Sequence, residues 1–575
     1  MRKPENILYG TEDQPPLQIL LILALQQMSF LGVYLVISPL FARQLGLDNG
    51  QSLQLISATL LASGFGVVLQ AFKVYGIGSG YFCPLQATSS TFAGLTLAKV
   101  HGGLGAVFGM VGVVGLAQIG FAFLFQRLRS VFTVQVAGLA VLLIGLGLGS
   151  YGIKLVTEAD LGIMPGEQQA LLCGLTLGTM IIFNVWSSGY LRLFSAFLGL
   201  MLGFVGSCFL DVIPDKDWLM FHDAPLFYIP RPMHTDWTFD SHALLPAIIT
   251  GLFLALHSFG ALVAAQRFND ADWKRPDLQM VKQGILAEGV TNVVNSLLNG
   301  LPLTSSGGAV SLAASTGCTS RYLALGLAGI MVLMAFMPKA IVFWQILPLP
   351  VMGSALIFLA SFTAFSGLQV IASRLLDNRK ILALGIGLIL GVSYEPVQRS
   401  FQHSSLEAMK TLLFSGVSLG VFAALILSVL FQIRNHTRER RRFDAQHSSL
   451  DDVIRFLELQ GKSWGARHEV VHRAEYATWQ AFEILTEHGL LDKPNGGNSD
   501  KIELETIFNE YTFTVILSYS GTVLPLTTHP PSHEAMLTDD SAVMQMAGYM
   551  LHRLADQVRT RHDGERCELR LIFND

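Results

Sequence analysis

The chain has 575 residues, of which 51% are hydrophobic and only 14% are charged, and its formal net charge is -4. A mean hydropathy of +0.48 is too high for a soluble protein of this length and fits a protein that crosses a membrane several times. The small net charge gives no sign of a nucleic-acid partner. Five scattered cysteines without paired spacing give no sign of a metal site or a cofactor.

Residues 1–16 are polar and predict a cytoplasmic N-terminal tail. Long apolar runs follow, and most of them reach the ~20 residues that a membrane-crossing helix needs. They predict a polytopic α-helical membrane protein with about fourteen spans: 17–41, 52–72, 85–99, 103–126, 131–149, 169–187, 193–213, 243–266, 283–300, 305–319, 322–345, 349–372, 379–395 and 411–433. The third and the tenth spans are short, and each of them follows a proline.

Two short stretches share a proline, a leucine and a Thr-Ser-Ser triplet. They are residues 84–90 (Pro-Leu-Gln-Ala-Thr-Ser-Ser) and residues 302–306 (Pro-Leu-Thr-Ser-Ser). Proline lacks a backbone donor and short hydroxyl side chains cap helices, so each stretch predicts an extended segment that leads into a half-length helix. Two half-helices with their N-termini at a shared point are typical of a transporter's substrate site. Two simple proline kinks are the alternative.

Basic residues are more frequent in the loops on one side of the membrane, and five arginines lie between residues 434 and 442. This distribution predicts that both termini are cytoplasmic and that residues 214–241 lie outside. We interpret the arginine cluster as a topology anchor rather than a lipid or nucleic-acid site. Seven spans precede the outer loop and seven follow it. Because seven is odd, the two halves run in opposite senses, which predicts two inverted seven-span repeats.

The composition changes after the last apolar run. Residues 434–449 predict a basic linker, and residues 450–575 predict a soluble α+β domain in the cytoplasm. Within this domain the hydrophobic periodicity predicts two helices, followed or separated by alternating strands. The predicted helices are 470–491 and 542–558, and the predicted strands are 502–508, 512–519 and 567–573.

The region around the second proline resembles a known family. Residues 300–306 (Gly-Leu-Pro-Leu-Thr-Ser-Ser) and 316–321 (Thr-Gly-Cys-Thr-Ser-Arg) look like motifs of the nucleobase–ascorbate transporters, also called nucleobase–cation symporters, which include the uracil and xanthine permeases. Residues 78–80 (Gly-Ser-Gly) and 89–92 (Ser-Ser-Thr-Phe) are similar to that family's glycine-rich loop and helix start. The resemblance covers about residues 15–433.

The resemblance implies fourteen spans in two inverted sevens, with a core that carries substrate and moves against a gate like an elevator. The core corresponds to residues 17–129 and 243–346, and the gate to residues 130–213 and 349–433. The gate implies a homodimer contact. Carried over residue by residue, the resemblance implies a substrate site made of Gln27, Ser89, Ser90, Thr91, Phe92, His257, Ser306, Gly307, Gly308 and Ala309.

The chain departs from the family's pattern at the residues expected to bind the ligand. The family's eighth-span carboxylate falls at His257, its tenth-span Gln or Glu at Gly308, and its first-span histidine at Gln27. A carboxylate accepts the N–H groups of a neutral nucleobase, whereas helix N-termini, hydroxyls and an imidazole mostly donate. We therefore expect a purine-like nucleobase of the xanthine or urate type, or another acceptor-rich organic anion, rather than uracil.

Two ionisable residues are candidates for coupling transport to a H⁺ or Na⁺ gradient. His257 lies deep in the eighth span, where ionisable groups are rare, and a histidine titrates near neutral pH. The alternative is a neutral histidine that is hydrogen-bonded within the bundle. We place Glu288 near the cytoplasmic end of its span and interpret it as mainly structural, with coupling as the alternative.

The C-terminal domain is similar to a degenerate anti-sigma or histidine-kinase-like ATPase domain. The resemblance places that family's catalytic glutamate at Gln480, its magnesium-binding asparagine at Ile484 and its adenine-reading aspartate at Tyr519. An isoleucine cannot bind a hard cation, which needs oxygen ligands. The resemblance therefore implies a binding or regulatory module with an unidentified cytoplasmic partner.

These features predict a secondary active transporter in a bacterial inner (plasma) membrane. Its partners are then a small-molecule substrate, a coupling cation, the lipid bilayer and a second copy of the chain. Two other functions stay open: a carrier of inorganic or carboxylate anions, and a transport-deficient sensor that signals through the C-terminal domain. The sequence contains no nucleophile–base pair, phosphate loop or metal spacing that would indicate an enzyme.

Overall fold

The computed structural model divides the chain into two compact units, one formed by Met1–Ile371 and Ala383–Leu427 and the other by Ala372–Leu382 and Ser428–Asp575. The structure describes residues 2–574 except 6, 89–90, 126–132, 158–164, 234–235, 274–275, 373–375, 377, 402–414, 433–437, 445–449, 465, 488–489, 492–500, 510–511, 528, 531–539 and 564–565.

The described residues before 433 form helices and two three-residue strands. Its elements are α1 (Leu17–Tyr34), α2 (Ile37–Gln44), α3 (Asn49–Phe72), β1 (Leu85–Ala87), α4 (Phe92–Phe125), α5 (Val134–Thr157), α6 (Gly166–Val185), α7 (Gly189–Leu193), α8 (Ser195–Phe209), α9 (Asp215–Asp223), α10 (Ser241–Asn269), α11 (Leu278–Leu298), β2 (Leu303–Ser305), α12 (Gly307–Ser315), α13 (Leu323–Ala335), α14 (Pro338–Ile346), α15 (Leu349–Ile371), α16 (Asn378–Val392), α17 (Tyr394–Phe401) and α18 (Gly416–Gln432).

Among the described residues, seven helices are long and apolar enough to cross a membrane, or eight if the bent pair α13 and α14 counts as one span. Every one of the fourteen predicted spans contains a helix in the structure. The shorter ones include α8, α12 and α18. The prediction of a multi-pass α-helical membrane protein is therefore confirmed.

Two spans differ from straight helices. The helical parts of the third and fourth predicted spans both lie in α4. This element consists of two helices that meet at a kink at Gly103, where φ is 69° and ψ is -162°. A positive φ is accessible to glycine at little cost, so this residue permits the break. The eleventh span bends by 82° between α13 and α14. Helix α14 begins at Pro338. Proline has no backbone N–H, so it cannot continue the preceding helix, but it fits the first turn of a new one.

Small residues allow helices α5 and α15 to pack closely. Gly138, Gly145 and Gly152 recur every seven residues on α5 and face Gly367, Ala364 and Gly353 of α15. A Cβ atom at any of the three α5 positions would come within about 3 Å of the α15 backbone. Helices in lipid associate mainly through close packing, so this stripe joins α5 and α15 tightly.

The predicted N-terminal tail is in fact fixed to the end of the bundle where α10 finishes. Its Tyr9 pairs with Cys318 in a short parallel bridge. Thr11 donates through Oγ1 to Asn269 Oδ1 at 2.8 Å, and Ser320 donates to the carbonyl of Asp13 at 2.5 Å. These bonds connect the segment to the end of α10 and to the loop after α12.

The loop that contains α9 packs on the opposite end of the bundle. Tyr228 donates its N–H to the carbonyl of Phe336 at 3.0 Å, and Thr238 donates to the carbonyl of Gly105 at 3.2 Å. Trp237 donates through Nε1 to the carbonyl of Ser296 at 3.2 Å. Because α10 begins at Ser241 and ends at Asn269, this loop and the N-terminal segment lie at opposite ends of that helix.

The C-terminal unit contains one antiparallel five-stranded sheet in the order β3-β4-β5-β7-β6. Its helices pack around the same apolar core. The elements are β3 (Arg438–Asp444), α19 (Leu450–Trp464), α20 (His468–Glu487), β4 (Lys501–Asn509), β5 (Thr512–Ser520), α21 (Asp540–Leu554), β6 (Gln557–Asp563) and β7 (Arg566–Asn574). The predicted C-terminal α+β domain is therefore present as a sheet with helices.

Two predictions about this domain are wrong in detail. The predicted basic linker contributes β3, because its arginines pair with acidic residues of β4: Arg440 Nε lies 3.0 Å from a Glu505 carboxylate oxygen. The last predicted helix ends at Leu554, since residues 557–563 form β6 along β7. The alternating pattern of these seven residues is short and polar, so periodicity alone did not separate it from the preceding helix.

The three positions of the degenerate ATPase resemblance are packed into this domain. Tyr519 is 3% exposed, and its hydroxyl donates to the carbonyl of Thr522 at 3.1 Å. Burial raises the pKa of Tyr519 to about 12, and the neighbouring Cys567 adds to that rise. Gln480 contacts the sulfur of Met550 at 3.6 Å, and Ile484 packs against the apolar core. The role of this domain as a binding or regulatory module stays a prediction.

Candidate functional site

The two proline motifs meet in a buried antiparallel ribbon. Strand β1 pairs with β2 so that Leu85 lies opposite Ser305, and Gln86 opposite Thr304. The N–H of Ser306 donates to the carbonyl of Pro84 at 2.7 Å, which extends the ribbon toward the second half-helix. The predicted meeting of the two motifs is therefore present in the structure. A two-stranded ribbon satisfies backbone groups that would otherwise be unpaired at membrane depth.

The second half-helix, α12, begins directly after β2. Ser306 caps it, because its Oγ accepts the N–H of Ala309 at 3.2 Å. Gly307 and Gly308 follow without side chains. A Cβ at Gly307 would lie 3.3 Å from Ser366 Oγ, and one at Gly308 would lie 2.8 Å from Cζ of Phe30. Phe30 therefore occupies the space beside the position where the family has a Gln or Glu.

The first half-helix is the N-terminal part of α4. Thr91 precedes it and donates through Oγ1 to the carbonyl of Thr88 at 3.1 Å. The ring of Phe92 packs against Phe41, with centroids 4.6 Å apart, and against Tyr151 at 6.3 Å. These contacts give Phe92 a packing role, and its predicted role in substrate binding stays a prediction. Ser89 and Ser90, also predicted to bind substrate, lie outside the described residues.

Helix α1 brings Gln27 to the second half-helix. Its Nε2 donates to the carbonyl of Ala309 at 3.3 Å, while its Oε1 has no hydrogen-bond partner among the described residues. Gln26 is fully buried, and neither of its amide atoms has a partner in the same part of the chain. Buried amide groups normally have hydrogen-bond partners, because leaving them without one costs free energy. Both side chains can therefore form further hydrogen bonds, to a ligand or to water.

His257 lies on α10, 2% exposed, beside the backbone of Ser305. Its Nδ1 has no hydrogen-bond partner among the described residues. The structure therefore brings His257, the end of β2 and the start of α12 together. One ring nitrogen remains available to donate or accept, depending on the tautomer.

Glu288 lies at the centre of the polar network behind the ribbon. The expectation that it sits near the end of its span is wrong, because it is the middle residue of α11 and is fully buried. Its Oε1 accepts from Gln118 Nε2 at 2.5 Å. Its Oε2 accepts from the N–H of Ser305 at 3.0 Å, from Ser305 Oγ at 2.9 Å and from Ser258 Oγ. Four donors thus surround one carboxylate, the arrangement that a buried carboxylate requires.

Further amides hold the approach to β2. Asn292 accepts the N–H of Leu303 at 2.7 Å and donates to the carbonyl of the same residue at 2.9 Å. It also donates to Gln118 at 2.7 Å. Asn295 donates to the carbonyl of Leu301, whose N–H donates to Thr59 Oγ1 at 3.0 Å. Asn292 and Asn295 thus hold the backbone that leads into β2.

Sequence reasoning missed three participants of this site. Gln118 is a lone amide in a long apolar run, Ser258 directly follows the candidate His257, and Phe30 lies one helical turn after Gln27. A polar residue within an apolar span was the available signal for the first two. Nothing in the sequence marks Phe30, because phenylalanine is common in such spans.

Helix α15, in the predicted gate, closes the site from the other side. Tyr34 and Thr363 share a hydrogen bond of 3.0 Å between their hydroxyls. Phe30 and Phe362 meet edge to face, with centroids 6.2 Å apart. A cavity of about 20 Å³ beside Tyr34, Gln86 and Leu303 holds only about one water molecule. This arrangement therefore buries the ribbon and leaves no purine-sized space in that cavity.

Comparison with known proteins gives the same assignment as the motifs. A family model described as "Permease family", for xanthine and uracil permeases, matches residues 18–399. The chain is 28% identical over 447 residues to "Xanthine permease XanP" of Escherichia coli, covering 74% of this chain and 95% of that protein. It is 27% identical over 429 residues to "Nucleobase transporter PlUacP" of Paenibacillus larvae, covering 73% and 94%.

A solved structure is also similar: the transmembrane domain of a cyanobacterial bicarbonate transporter, BicA, at 17% identity and a TM-score of 0.41. That match covers 72% of this chain and 97% of the other. The family model spans about two thirds of the chain, including α1, the ribbon and both half-helices. The protein is therefore a multi-pass membrane permease rather than an enzyme, and it belongs to the xanthine/uracil permease family.

Proposed function

We propose that this protein is a secondary active transporter of a purine-like nucleobase of the xanthine or urate type, or of a similar acceptor-rich organic anion. The names of two relatives support this class, since one is a xanthine permease and the other a nucleobase transporter. The observation that carries the proposal is the buried ribbon, whose half-helix α12 begins beside His257 and Gln27. It provides polar groups for one small planar ligand.

The chemistry of these groups favours a ligand that accepts hydrogen bonds. The first N–H groups of α12 have no partner within the helix, and the helix dipole adds positive character there. Gly308 and His257 stand where the family has two hydrogen-bond acceptors. The N–H groups of a uracil-like ligand would therefore lack the side chains that accept them in the family. Oxidised purines carry carbonyl oxygens and acidic N–H groups, and their anions match this donor-rich end.

The contacts between α1 and α15 support an elevator-type movement. Among the described residues they include the edge-to-face pair of Phe30 and Phe362 and the Tyr34–Thr363 hydrogen bond, which cost little to break and re-form. By contrast, Glu288 connects α4, α10, α11 and β2 through strong hydrogen bonds. Core elements 17–129 and 243–346 then move together past a gate made of residues 130–213 and 349–433. A movement of this kind would also open space for a purine, which does not fit into the small cavity beside Tyr34.

Glu288 and His257 are the proposed coupling residues, with H⁺ or Na⁺ as the coupling ion. Proton uptake by Glu288 would turn one acceptor oxygen into a donor and disturb its bonds to Ser305, beside the start of α12. A change in the protonation of Glu288 would therefore alter the position of β2 and of the start of α12, where we propose that the ligand binds. This extends the role of Glu288 beyond the structural one that its sequence position suggested.

We also place the protein in a bacterial inner membrane, with both termini in the cytoplasm and a homodimer contact through the gate. The two halves then form inverted seven-span repeats. The antiparallel direction of β1 and β2 supports the inversion, and the N-terminal segment and the α9 loop lie at opposite ends of α10. The arginine-rich region after α18 supports the cytoplasmic assignment. The C-terminal domain then faces an unidentified cytoplasmic partner.

Uptake of radiolabelled xanthine into proteoliposomes with an imposed proton or sodium gradient tests this function. Excess unlabelled xanthine and urate should each suppress the uptake, whereas uracil should not. The variant His257→Gln should lower uptake at least tenfold, and His222→Ala, in the α9 loop, should leave it unchanged. Robust uracil uptake without competition by xanthine would contradict the proposed substrate class.

Counterflow separates the proposal from the two other functions. Liposomes preloaded with unlabelled xanthine should accumulate labelled xanthine if the protein is a carrier. Binding without exchange would instead favour a sensor that acts through the C-terminal domain. Exchange of bicarbonate, sulfate or a carboxylate in place of xanthine would favour an anion carrier.

A further inference from the structure

Two histidines and an aspartate form a cluster outside the substrate site. Asp240 and His242 stand at the start of α10, and His101 comes from α4, two residues before its break at Gly103. One ligand atom from each residue lies within 4.8 Å of the others. The rings of His101 and His242 are stacked at a centroid distance of 5.0 Å with 17° between their planes.

The aspartate in this cluster has an unused oxygen. Its Oδ1 accepts the N–H of His242 as a helix cap at 3.2 Å and lies 3.2 Å from Nδ1 of the same residue. Its Oδ2 is buried and has no hydrogen-bond partner among the described residues. The side chain of Asp240 is 12% exposed, whereas that of His242 is 62% exposed. The cluster thus combines a shielded carboxylate oxygen without a hydrogen-bond partner and histidine side chains that are open to solvent.

The side chains of the cluster offer both nitrogen and oxygen ligands. A histidine ring can supply one nitrogen lone pair to a metal ion, and a carboxylate can supply one or both of its oxygens. Because Oδ2 of Asp240 has no hydrogen-bond partner among the described residues, it is available to a metal ion without the loss of an existing bond.

We infer that His101, Asp240 and His242 form a binding site for a divalent transition-metal ion, with Zn²⁺ as the best match. Two imidazoles and one carboxylate are a ligand set that zinc uses, with water in the fourth position. Imidazole ligands also exclude Mg²⁺ and Ca²⁺ as preferred ions, because those bind oxygen. Zinc–ligand bonds of about 2.0–2.2 Å require the three donors to approach one another by side-chain rotation.

Such an ion would join α4 and α10 at this end of the bundle. Thr238 donates to the carbonyl of Gly105 at 3.2 Å, beside the Gly103 break in α4. A metal held by His101 and His242 would add a direct link between the half-helix of α4 and α10. That link acts at the end of α10 opposite to Asn269, and it does not depend on which substrate the protein carries.

Isothermal titration of ZnCl₂ into purified, EDTA-treated, full-length protein tests the site. We expect one Zn²⁺ per chain and a higher midpoint of thermal unfolding, while MgCl₂ produces neither change. His101→Ala and His242→Ala should each weaken Zn²⁺ binding at least tenfold. Asp240→Asn should also weaken it, although asparagine keeps the helix cap and so preserves folding.

A matched control comes from the α9 loop. His222 and Asp223 form a similar pair, with Nδ1 and Oδ1 3.5 Å apart, but they belong to no three-residue cluster among the described residues. The variant His222→Ala should therefore bind Zn²⁺ as the unaltered protein does. The inference fails if Zn²⁺ gives no heat and no thermal shift, or if the three cluster variants bind Zn²⁺ as tightly as the His222→Ala protein.

Discussion

The two strands of the buried ribbon are held in different ways. Strand β2 is fixed by Glu288, which bonds Ser305, and by Asn292, which bonds both backbone groups of Leu303. Among the described residues, strand β1 has fewer such supports: Ser63 Oγ donates to the carbonyl of Leu85 at 2.6 Å, and Tyr34 is hydrogen-bonded to the side chain of Gln86. Gln86 Oε1, on β1, is buried without a hydrogen-bond partner among the described residues.

This difference assigns the two half-helices different tasks. The helix after β2 starts on a rigid polar support, so its N-terminus is preorganised to hold a ligand. The helix after β1 lies in a longer element that breaks at Gly103, and its strand has fewer bonds to lose. We therefore expect substitutions of residues that support β2 to lower the free energy of unfolding and the uptake more than substitutions of residues that support β1.

Glu288→Ala should have the largest effect. It leaves the donors of Gln118, Ser258 and Ser305 without their shared acceptor and should lower the free energy of unfolding by about 3 kcal/mol. Uptake should fall below about a tenth of the unaltered level, because β2 loses its support. Thermal unfolding and proteoliposome uptake measure the two losses. A variant with normal stability and normal uptake would show that the carboxylate does not organise the site.

Asn292→Ala should have the next largest effect. The substitution removes two bonds to the backbone of Leu303 and one to Gln118, and it should destabilise the protein by about 2 kcal/mol. Thermal unfolding of the purified protein provides the measurement. Asn184→Ala is a suitable control, because that side chain makes a bond of 3.4 Å at a half-exposed position on α6. Equal losses for both variants would contradict the proposed role of Asn292.

Gly308→Ala should reduce uptake by about tenfold, with a cost of about 1–2 kcal/mol from overpacking. The added Cβ would lie 2.8 Å from the Phe30 ring, so the ring or α12 has to move. Adding Phe30→Ala to the same chain should restore part of the uptake, since it removes the clash. Initial uptake rates of the two single variants and the double variant complete a double-mutant cycle. If the losses of the two single variants add up in the double variant, the side chain at position 308 does not interact with Phe30, and the proposed clash is wrong.

Ser63→Ala should have the smallest effect of the four. It removes one hydrogen bond to the carbonyl of Leu85 and should cost about 1 kcal/mol in unfolding free energy. The expected loss is smaller than for Asn292→Ala, measured by the same thermal unfolding. A larger loss for Ser63→Ala would reverse the proposed difference between the two strands.

Much of the architecture was predictable, because apolar runs and prolines act locally. The fourteen apolar segments follow from the poor solvation of polar groups in lipid, and each contains a helix. Pro84 and Pro302 each lie directly before a strand. Both were visible in the sequence as helix breaks, because proline lacks a backbone donor. The C-terminal strand β6 and the arginine-rich β3 were missed, because their charged residues hide the alternating pattern.

The candidate site was predictable only in part. The resemblance identified Gln27, His257 and Ser306, which the structure brings close to α12. The ring of Phe92 packs against Phe41 and Tyr151, and its predicted place in the ligand site stays a prediction. The hydrogen bonds of Glu288 could not be predicted, because the sequence of a helix does not reveal which neighbouring helices donate to it.

The sequence by itself determined the class of this protein: its hydropathy requires a membrane, and its two proline motifs require interrupted helices within it. Only the tertiary structure decided how those motifs are supported. Gln118, Ser258, Glu288 and Ser305 are spread over 188 residues of the chain and meet around one carboxylate. The cluster of His101, Asp240 and His242 forms in the same way. Such contacts depend on how helices pack, and packing brings together residues whose spacing in the chain carries no regular pattern.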